Sequence, residues 1–329
     1  MMGKVNKTIT YTILSLCGIF MILPFFWMLS TSVKTQLEVN KGNRGFIPYT
    51  EADYVDLSGE GDIYRCKILK SEGDSLWVNL FNEEDEIISS YRKVATENVK
   101  HSKKIKLRLA NFNEAWNKVP FGRYFLNTII VSCTCVFGVM VTGSLAAYAF
   151  ARMRFKGKDF IFYLFISMMM VPQPVYIIPS YILLHHLNWL DTYYALIVPW
   201  VVNIFTIFLL RQHFKSIPQE LFDAASIDGC SRFGALWRIV LPLSKGVLAT
   251  AAIFSFIGSW NSFMWPLVMI DNPNLRVLQV GLSYFSAEAS SQTTLLMAAS
   301  TFSILPLVLL FLIAQKQIMA SFISSGLKG

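Results

Sequence analysis

Charge is what this 329-residue chain has least of. Asp, Glu, Lys and Arg make up 15% of it, against 54% hydrophobic residues, where a soluble domain carries about 25% charged residues. The deficit is concentrated in windows that hold no charge at all. They lie between Lys7 and Lys34, Arg123 and Arg152, Asp159 and Asp191, Asp191 and Arg211, Lys245 and Asp271, and Glu288 and Lys316. Each supplies the roughly 20 apolar residues that a membrane helix needs, so six transmembrane helices are expected. The third window is overlong, and His185, His186, Asn188 and Trp189 at its end read as an interfacial loop rather than helix.

Other absences narrow the function. Ion- or proton-driven carriers normally hold ionisable groups near the membrane midplane, and no Asp, Glu, Lys or Arg lies inside these windows. A glycine-rich phosphate loop ending in Lys-Ser or Lys-Thr is missing throughout, so any ATP-derived energy must come from another subunit. Five cysteines are too scattered for a disulfide framework. Cys17, Cys133 and Cys135 fall in spans, Cys230 in a polar link, and Cys66 stands alone. Cys133 and Cys135 point in divergent directions on a helix, which makes a poor metal site; they read as small packing residues. The first window ends without a small-residue cleavage site and is too long for a signal-peptide core, so it is read as a retained first span.

The net charge of +8 comes from basic residues at span ends. Lys4 and Lys7 precede the first span, Arg152, Arg154, Lys156 and Lys158 link the second and third, and Arg211, Lys215, Arg232, Arg238 and Lys245 flank the link between the fourth and fifth. Lys316 and Lys328 follow the last. The alternate short links hold only Arg276. By the positive-inside rule both termini are cytoplasmic, and the charge encodes orientation rather than nucleic-acid binding.

Residues 34–111 hold 13 of the 21 acidic residues and fall on the opposite, extracytoplasmic side. Alternating runs at 63–69, 75–81 and 86–91, separated by turn-rich pieces, predict a compact β-barrel or meander of about 60 residues. The alternative is an exposed disordered loop, against which Trp77, Phe81 and Tyr91 supply apolar mass. A lysine tail (Lys100, Lys103, Lys104, Lys106) reads as a solvated strand or a headgroup contact. Trp116 marks an interfacial lead-in to the second span. Pro172, Pro174 and Pro179 break the third span, either around a packed kink or at a hinge lining a path. Asn127, Gln173, Asn203, Asn261 and Gln292 are the main polar side chains in or beside the spans. They either glue helices together or hydrogen-bond a neutral polar cargo; with Pro172 and Trp260, the first four are candidates for a translocation path.

Glu220 to Pro242 is the most organised stretch. Ser216 and Gln219 predict a capping box, with Pro218 in the first turn. Leu221, Ala224, Ala225 and Asp228 follow at helical spacing, and Gly229 ends the helix in a left-handed turn. A second helical stretch runs from about Ser231 to Pro242. Glu220 and Asp223 favour the helix N-terminus electrostatically or serve a contact.

The run D-A-A-S-I-D-G, then nine residues, then I-V-L-P resembles the E-A-A-x3-G-x9-I-x-L-P signature of permease subunits of bacterial ATP-binding-cassette importers. Asp223, Ala224, Ala225, Gly229, Ile239, Leu241 and Pro242 fall on its positions. Asn127-Thr128, the run from Ala146 to Gly157, Trp260-Asn261 and the ending Leu327-Lys328-Gly329 are similar to the carbohydrate-uptake, MalG-type branch. The resemblance covers the first span and about Asn111 to the C-terminus; it says nothing of 41–105. It implies an all-α polytopic fold of six helices, with residues 1–34 for the tail and first helix, 111–316 for the rest of the transmembrane domain with its coupling loop at 212–244, and 317–329 for a cytoplasmic tail. The strand signals add an extracytoplasmic β-rich insertion at 41–105 between the first two helices.

What the resemblance implies for function is an inner-membrane importer subunit for a sugar or oligosaccharide, without an ATP site of its own. A non-sugar cargo such as glycerol phosphate, or a self-sufficient channel or carrier, are the alternatives. The helix at Glu220–Gly229 would couple to a dimer of cytoplasmic ATPases, which hold ATP and Mg; no cofactor or metal is expected in this chain. A second, related permease and an extracytoplasmic solute-binding protein are the other implied partners. The loop near Leu278–Ser290, with Leu278, Gln279, Gly281, Ser283 and Tyr284, would meet the binding protein. Two departures stand out: Asp223 replaces the usual Glu, and Ala320-Ser321 replaces a usual arginine-glycine pair.

Overall fold

A computed structural model describes residues 2–40, 42, 45–56, 63–72, 75–81, 87–105, 107–287 and 292–326. Among the described residues, four helices are apolar and long enough to cross a membrane: Lys7–Ser32, Phe121–Arg152, Tyr193–Ser216 and Thr293–Gln315. Two further helix pairs pass the same test only as bent units. Lys158–Met168 with Gln173–His186 turns by 101°, and Arg232–Leu243 with Lys245–Trp260 turns by 83°. Against the six expected spans, four helices pass on their own, and the number reaches six if each bent pair counts as one span. The first break, at Met169–Pro172, falls where Pro172 bars the preceding residue from helical geometry. Pro179 lies inside the following helix without ending it. His185 and His186 are its last helical residues, not loop as expected; the turn comes at Asn188, in left-handed geometry with φ 56°.

The chain divides into two compact units, Met1–Ala115 with Ser286–Thr301, and Trp116–Phe285 with Phe302–Gly329. In the first, α1 (Met2–Ser32) carries Pro24, and α2 (Gln36–Asn40) follows. Five antiparallel strands come next: β1 (Tyr49–Asp56), β2 (Ile63–Glu72), β3 (Ser75–Phe81), β4 (Ile87–Ala95) and β5 (Val99–Ile105). Their order is β4-β3-β2-β1-β5, a meander whose last strand returns to flank the first, with Tyr49 opposite Ile105 and Val55 opposite Val99. The three strands expected from alternation are β2, β3 and β4; β1 and β5 complete the sheet. Val55, Cys66, Leu76, Val78, Leu80 and Val94 form its apolar core, with Leu76, Val78 and Leu80 on one face by the two-residue strand period. Cys66 is therefore a core residue. Lys106 lies outside the described residues.

A buried polar knot closes the end of α1. The Asn111 amide donates to the Ser32 and Lys34 carbonyls at 2.8 and 2.7 Å, and Glu38 accepts from the Thr35 N–H at 2.7 Å. Burial pushes the Lys34 ammonium below the usual lysine range, with Glu38 opposing the shift.

The second unit is built on α4 (Phe121–Arg152), which α3 (Ala110–Lys118) precedes. The bent pair α5 (Lys158–Met168) and α6 (Gln173–His186) follows, then α7 (Tyr193–Ile197) and α8 (Ile204–Ser216). Short α9 (Glu220–Ile227), α10 (Arg232–Ala235) and α11 (Leu241–Leu243) lead into α12 (Lys245–Trp260). α13 (Met264–Met269), α14 (Leu278–Ala287) and α15 (Thr293–Gly326) end the chain. Small residues let helices approach closely: a methyl group added at Gly138 would sit 2.6 Å from Val201, and one at Gly143 would sit 3.0 Å from Thr206. Cys133 is exposed and Cys135 buried, as their two-residue helical offset requires.

Candidate functional site: a helical knob and an uncharged cavity

Two places draw the expected residues together. The first is the knob at α9. Its entry differs from the expected capping box: Ser216 still belongs to α8, so its hydroxyl bonds back to the His213 carbonyl at 2.8 Å. Gln219 is the N-cap residue without a capping side-chain bond. The seat is supplied instead by Arg152, the last residue of α4. Its Nε and Nη2 donate to the Phe214 carbonyl at 3.0 and 2.6 Å, and Nη2 also reaches the Ile217 carbonyl. Nη1 donates to Gln219 Oε1 at 3.1 Å. One planar fork thus satisfies carbonyls that the end of α8 leaves open.

The exit of α9 follows the expectation. Gly229 has φ 73°, its N–H donates to Ser226, and the Cys230 N–H donates to Ala225 at 2.8 Å. This is the paired bonding of a Schellman turn. Ser231 then caps α10, accepting from the Gly234 N–H at 3.1 Å. Leu236–Val240 widens into π geometry just before Pro242, whose nitrogen has no proton for the carbonyl four residues back. The second helical stretch was expected to end at Pro242; instead Pro242 lies in the first turn of α11, and the sharp bend comes at Ser244.

Burial splits this element into a root and a tip. Phe222, Ala235, Leu236 and Val240 pack with Ala147, Leu210 and Phe214, and Ile239 and Leu241 line the same core. Glu220, Asp223, Ala224, Asp228 and Gly229 are exposed and Ala225 half-buried. Asp223 accepts from Gln219 Nε2 at 3.0 Å. The tip also bares apolar surface: Ile227 is 87% exposed, Phe233 60% and Trp237 58%, with the last two rings edge to face at 6.2 Å. The tip thus sets a bare apolar patch beside exposed carboxylates, a combination of the kind that marks interaction surfaces.

The second place is a cavity of about 340 Å3 in the same unit. From α4 come Thr128, Ser132 and Cys135, at spacings of four and three; from α12 and its end come Ser255, Ser259, Asn261 and Ser262. Gln173 and Asn203 add amides, and Trp200, Phe254, Phe263 and Trp265 add rings. Among the described residues that line it, none is charged. The Ser132 hydroxyl is buried with no partner among the described residues.

Of the path candidates, Gln173, Asn203 and Asn261 line this cavity. Asn127 does not: its amide donates to the Asn274 and Arg276 carbonyls at 2.9 Å each and accepts from the Tyr193 hydroxyl at 2.8 Å. Trp260 is fully buried and donates to the Ser303 carbonyl at 3.1 Å. These two join helices. Pro172 sits at the N-cap of α6, beside the cavity residue Gln173. The hydroxyls of Thr128, Ser132, Ser255 and Ser259 were missed, although their four-residue spacing on two apolar helices was a readable signal.

The expected binding-protein loop is helix α14 instead. Leu278 is fully buried, its N–H donating to Thr128 Oγ1 at 2.8 Å. Gly281 is also buried, against Tyr124. Gln279 donates to Asn261 Oδ1 at 3.3 Å, Ser283 is half-buried, and Tyr284 is exposed under the Arg276 guanidinium at 4.8 Å. Ser290, Leu327, Lys328 and Gly329 lie outside the described residues.

Comparisons with known proteins point one way. Residues 139–322 match the family model for the binding-protein-dependent transport system inner membrane component. The probable ABC transporter permease YurM of Bacillus subtilis is 38% identical over 67% of this chain and 73% of its own length. The arabinooligosaccharides permease AraQ of Halalkalibacterium halodurans is 34% identical over 63% and 74%, and the sn-glycerol-3-phosphate permease UgpE of Pectobacterium atrosepticum is 31% identical over 65% and 79%. A bacterial ABC transporter involved in the import of the acidic polysaccharide alginate has a chain of like fold, with TM-score 0.69, 18% identity, and coverage of 96% of this chain and 97% of that one. The chain therefore belongs to the inner-membrane components of binding-protein-dependent transport systems, the permeases of ABC importers.

Proposed function

We propose that this chain forms half of the translocation path of an ATP-driven importer for a neutral sugar or oligosaccharide. The observation that carries the reading is the cavity, whose lining offers hydroxyls, amides and aromatic rings but no charge. Such a surface can exchange hydrogen bonds with sugar hydroxyls and stack on their apolar faces, while it gives an anion no counter-charge. Relatives with arabinooligosaccharide and diacetylchitobiose in their names accord with this cargo class.

In this reading each bent pair is one broken span, giving six with both termini cytoplasmic, and the five-stranded sheet is extracytoplasmic. The domains are 1–34, 41–105, 111–316 and a cytoplasmic tail at 317–329. The knob at Glu220–Gly229 seats in a dimer of separate ATPases, which hold ATP and Mg, so this chain needs no cofactor. Ala224, Ala225 and the bare rings of Phe233 and Trp237 enter the groove, Glu220, Asp223 and Asp228 face basic groups there, and Ile239, Leu241 and Pro242 hold the root. A related permease supplies the other half of the path. Gln279, Ser283 and Tyr284 of α14 meet a solute-binding protein in this reading, with the buried Leu278 and Gly281 as their support.

The test is reconstitution of the chain with its co-purifying subunits in proteoliposomes. ATP-dependent uptake of a neutral oligosaccharide, with a raised KM in Ser132→Val and Gln173→Ala, is the expected result. Uptake confined to anionic solutes such as glycerol phosphate overturns the neutral-cargo reading. Gradient-driven flux by the chain alone overturns the importer-subunit reading.

A further inference from the structure

The link between α4 and α5 carries four cations in seven residues, Arg152, Arg154, Lys156 and Lys158. Beside it an open cavity of about 410 Å3 is walled by Arg154, Phe155, Gly157, Lys158, Asp159 and Phe160. Arg152, Arg211 and Lys215 lie close enough to act electrostatically on Lys158. The one carboxylate in the wall, Asp159, is already engaged by Arg211 Nη2 at 3.4 Å, and the Arg211 guanidinium is pinned 3.7 Å over the Phe162 ring. Lys158 gives one proton to the Met153 carbonyl at 3.0 Å. Arg154 and Lys156 donate to nothing among the described residues. The cavity is thus a cation-rich cup, its one carboxylate, Asp159, shared between Arg211 and the neighbouring Lys158.

The cup also has an apolar side. Phe155 and Phe160 are in its wall, and Phe160, Tyr163 and Leu164 are exposed along the first turns of α5. A ligand that satisfies both parts is amphiphilic, with an anionic head for Arg154 and Lys158 and a hydrocarbon body for the rings. We propose that this cup binds the phosphate head of an anionic phospholipid, its acyl chains lying along α5. The inference rests on reading α4 and α5 as membrane-embedded, and it is independent of the transported cargo. Basic pockets between membrane helices on the cytoplasmic side are a recurrent form of headgroup site, and a diester phosphate fits a guanidinium fork beside an ammonium.

The experiment is native mass spectrometry of the full chain, purified in mild detergent with the subunits it carries. The probes are palmitoyl-oleoyl phosphatidylglycerol, phosphatidylcholine with the same chains, and inorganic phosphate. The wild type is expected to retain the phosphatidylglycerol adduct over the phosphatidylcholine one. Arg154→Gln with Lys158→Gln should cut that adduct by about 10- to 30-fold, on the scale of two headgroup-facing charges. The charge-preserving pair Arg154→Lys and Lys158→Arg should keep most of it. Equal retention of the two lipids by the wild type, or an undiminished adduct in the glutamine variant, overturns the site. Full displacement by inorganic phosphate assigns the cup to a free anion and overturns the lipid. If the glutamine variant does not assemble, backbone hydrogen exchange of the wild type decides. Protection of residues 153–160 in phosphatidylglycerol nanodiscs but not in phosphatidylcholine ones supports the proposal, and equal exchange sinks it.

Discussion

The Arg152 guanidinium lies 4.2 Å above the ring of Phe222, joining the end of α4 to the buried root of α9. The same fork holds the Phe214 and Ile217 carbonyls and Gln219, so α9 is tied to α4 by this polar joint as well as by the apolar core that Phe222 shares with Ala147. In the coupling role proposed for the knob, this joint would carry its movement to α4, a helix that lines the cavity.

Arg152→Lys should uncouple the importer without preventing its assembly. Lysine keeps the charge but loses the planar fork and the stacking. Loss of a single charge-assisted bond costs about 1.5–3 kcal/mol, so uptake should fall about tenfold or more while ATP hydrolysis by the complex persists. Paired uptake and ATPase assays check this; equal and normal rates in both would remove Arg152 from the coupling route.

Gly229 allows a graded test. An added methyl group would meet no atom within 4 Å, yet φ is +73°. Gly229→Ala should therefore cost only the left-handed backbone penalty, about 1–2 kcal/mol, and leave uptake partly intact. Gly229→Asn should be milder still, since asparagine tolerates that geometry. Gly229→Pro forbids it, removes the N–H that bonds Ser226, and should abolish uptake while the protein still reaches the membrane. A flat series, with proline as active as alanine, would show that the turn does not matter.

That turn was legible in the sequence because its cause is local: one glycine at the end of a helix-periodic run dictates it. The uncharged windows were legible for the same reason, each being a property of consecutive residues. The capping box at Ser216 failed because α8 runs on to include Ser216, whose hydroxyl found a carbonyl one turn back. The cavity was harder. Four-residue spacing puts Thr128 with Ser132, and Ser255 with Ser259, on one face of each helix, but the two faces converge only because α4 and α12 pack together, which no local pattern announces. Asn127 and Asn261 looked alike as lone amides in apolar runs; only the tertiary contacts separate a joint from a lining residue.

Those two asparagines should separate in experiment. Asn127→Ala removes three hydrogen bonds, to the Asn274 and Arg276 carbonyls and from the Tyr193 hydroxyl, each worth about 0.5–1.5 kcal/mol. Its melting temperature in detergent should drop by several degrees. Asn261→Ala exposes little and should melt near wild type while raising the uptake KM. The reverse pattern would return Asn127 to the cavity and make Asn261 the joint.

Gly281 decides how α14 is used. A methyl group there would lie 2.4 Å from Tyr124 Cδ2, so Gly281→Ala must push a nearly buried ring. Overpacking of this kind costs about 1–3 kcal/mol, and the melting temperature should fall accordingly. Truncating the ring relieves the clash: Gly281→Ala combined with Tyr124→Ala should cost less than the sum of the two single changes, the signature of direct contact. Were Gly281 instead a point of contact with a solute-binding protein and nothing more, the two changes would add. The single variant would then melt like the wild type and lose only affinity for that protein. Thermal unfolding of the four forms of the cycle, with binding-protein affinity measured beside it, separates a glycine that lets α14 sit on α4 from one that meets a partner.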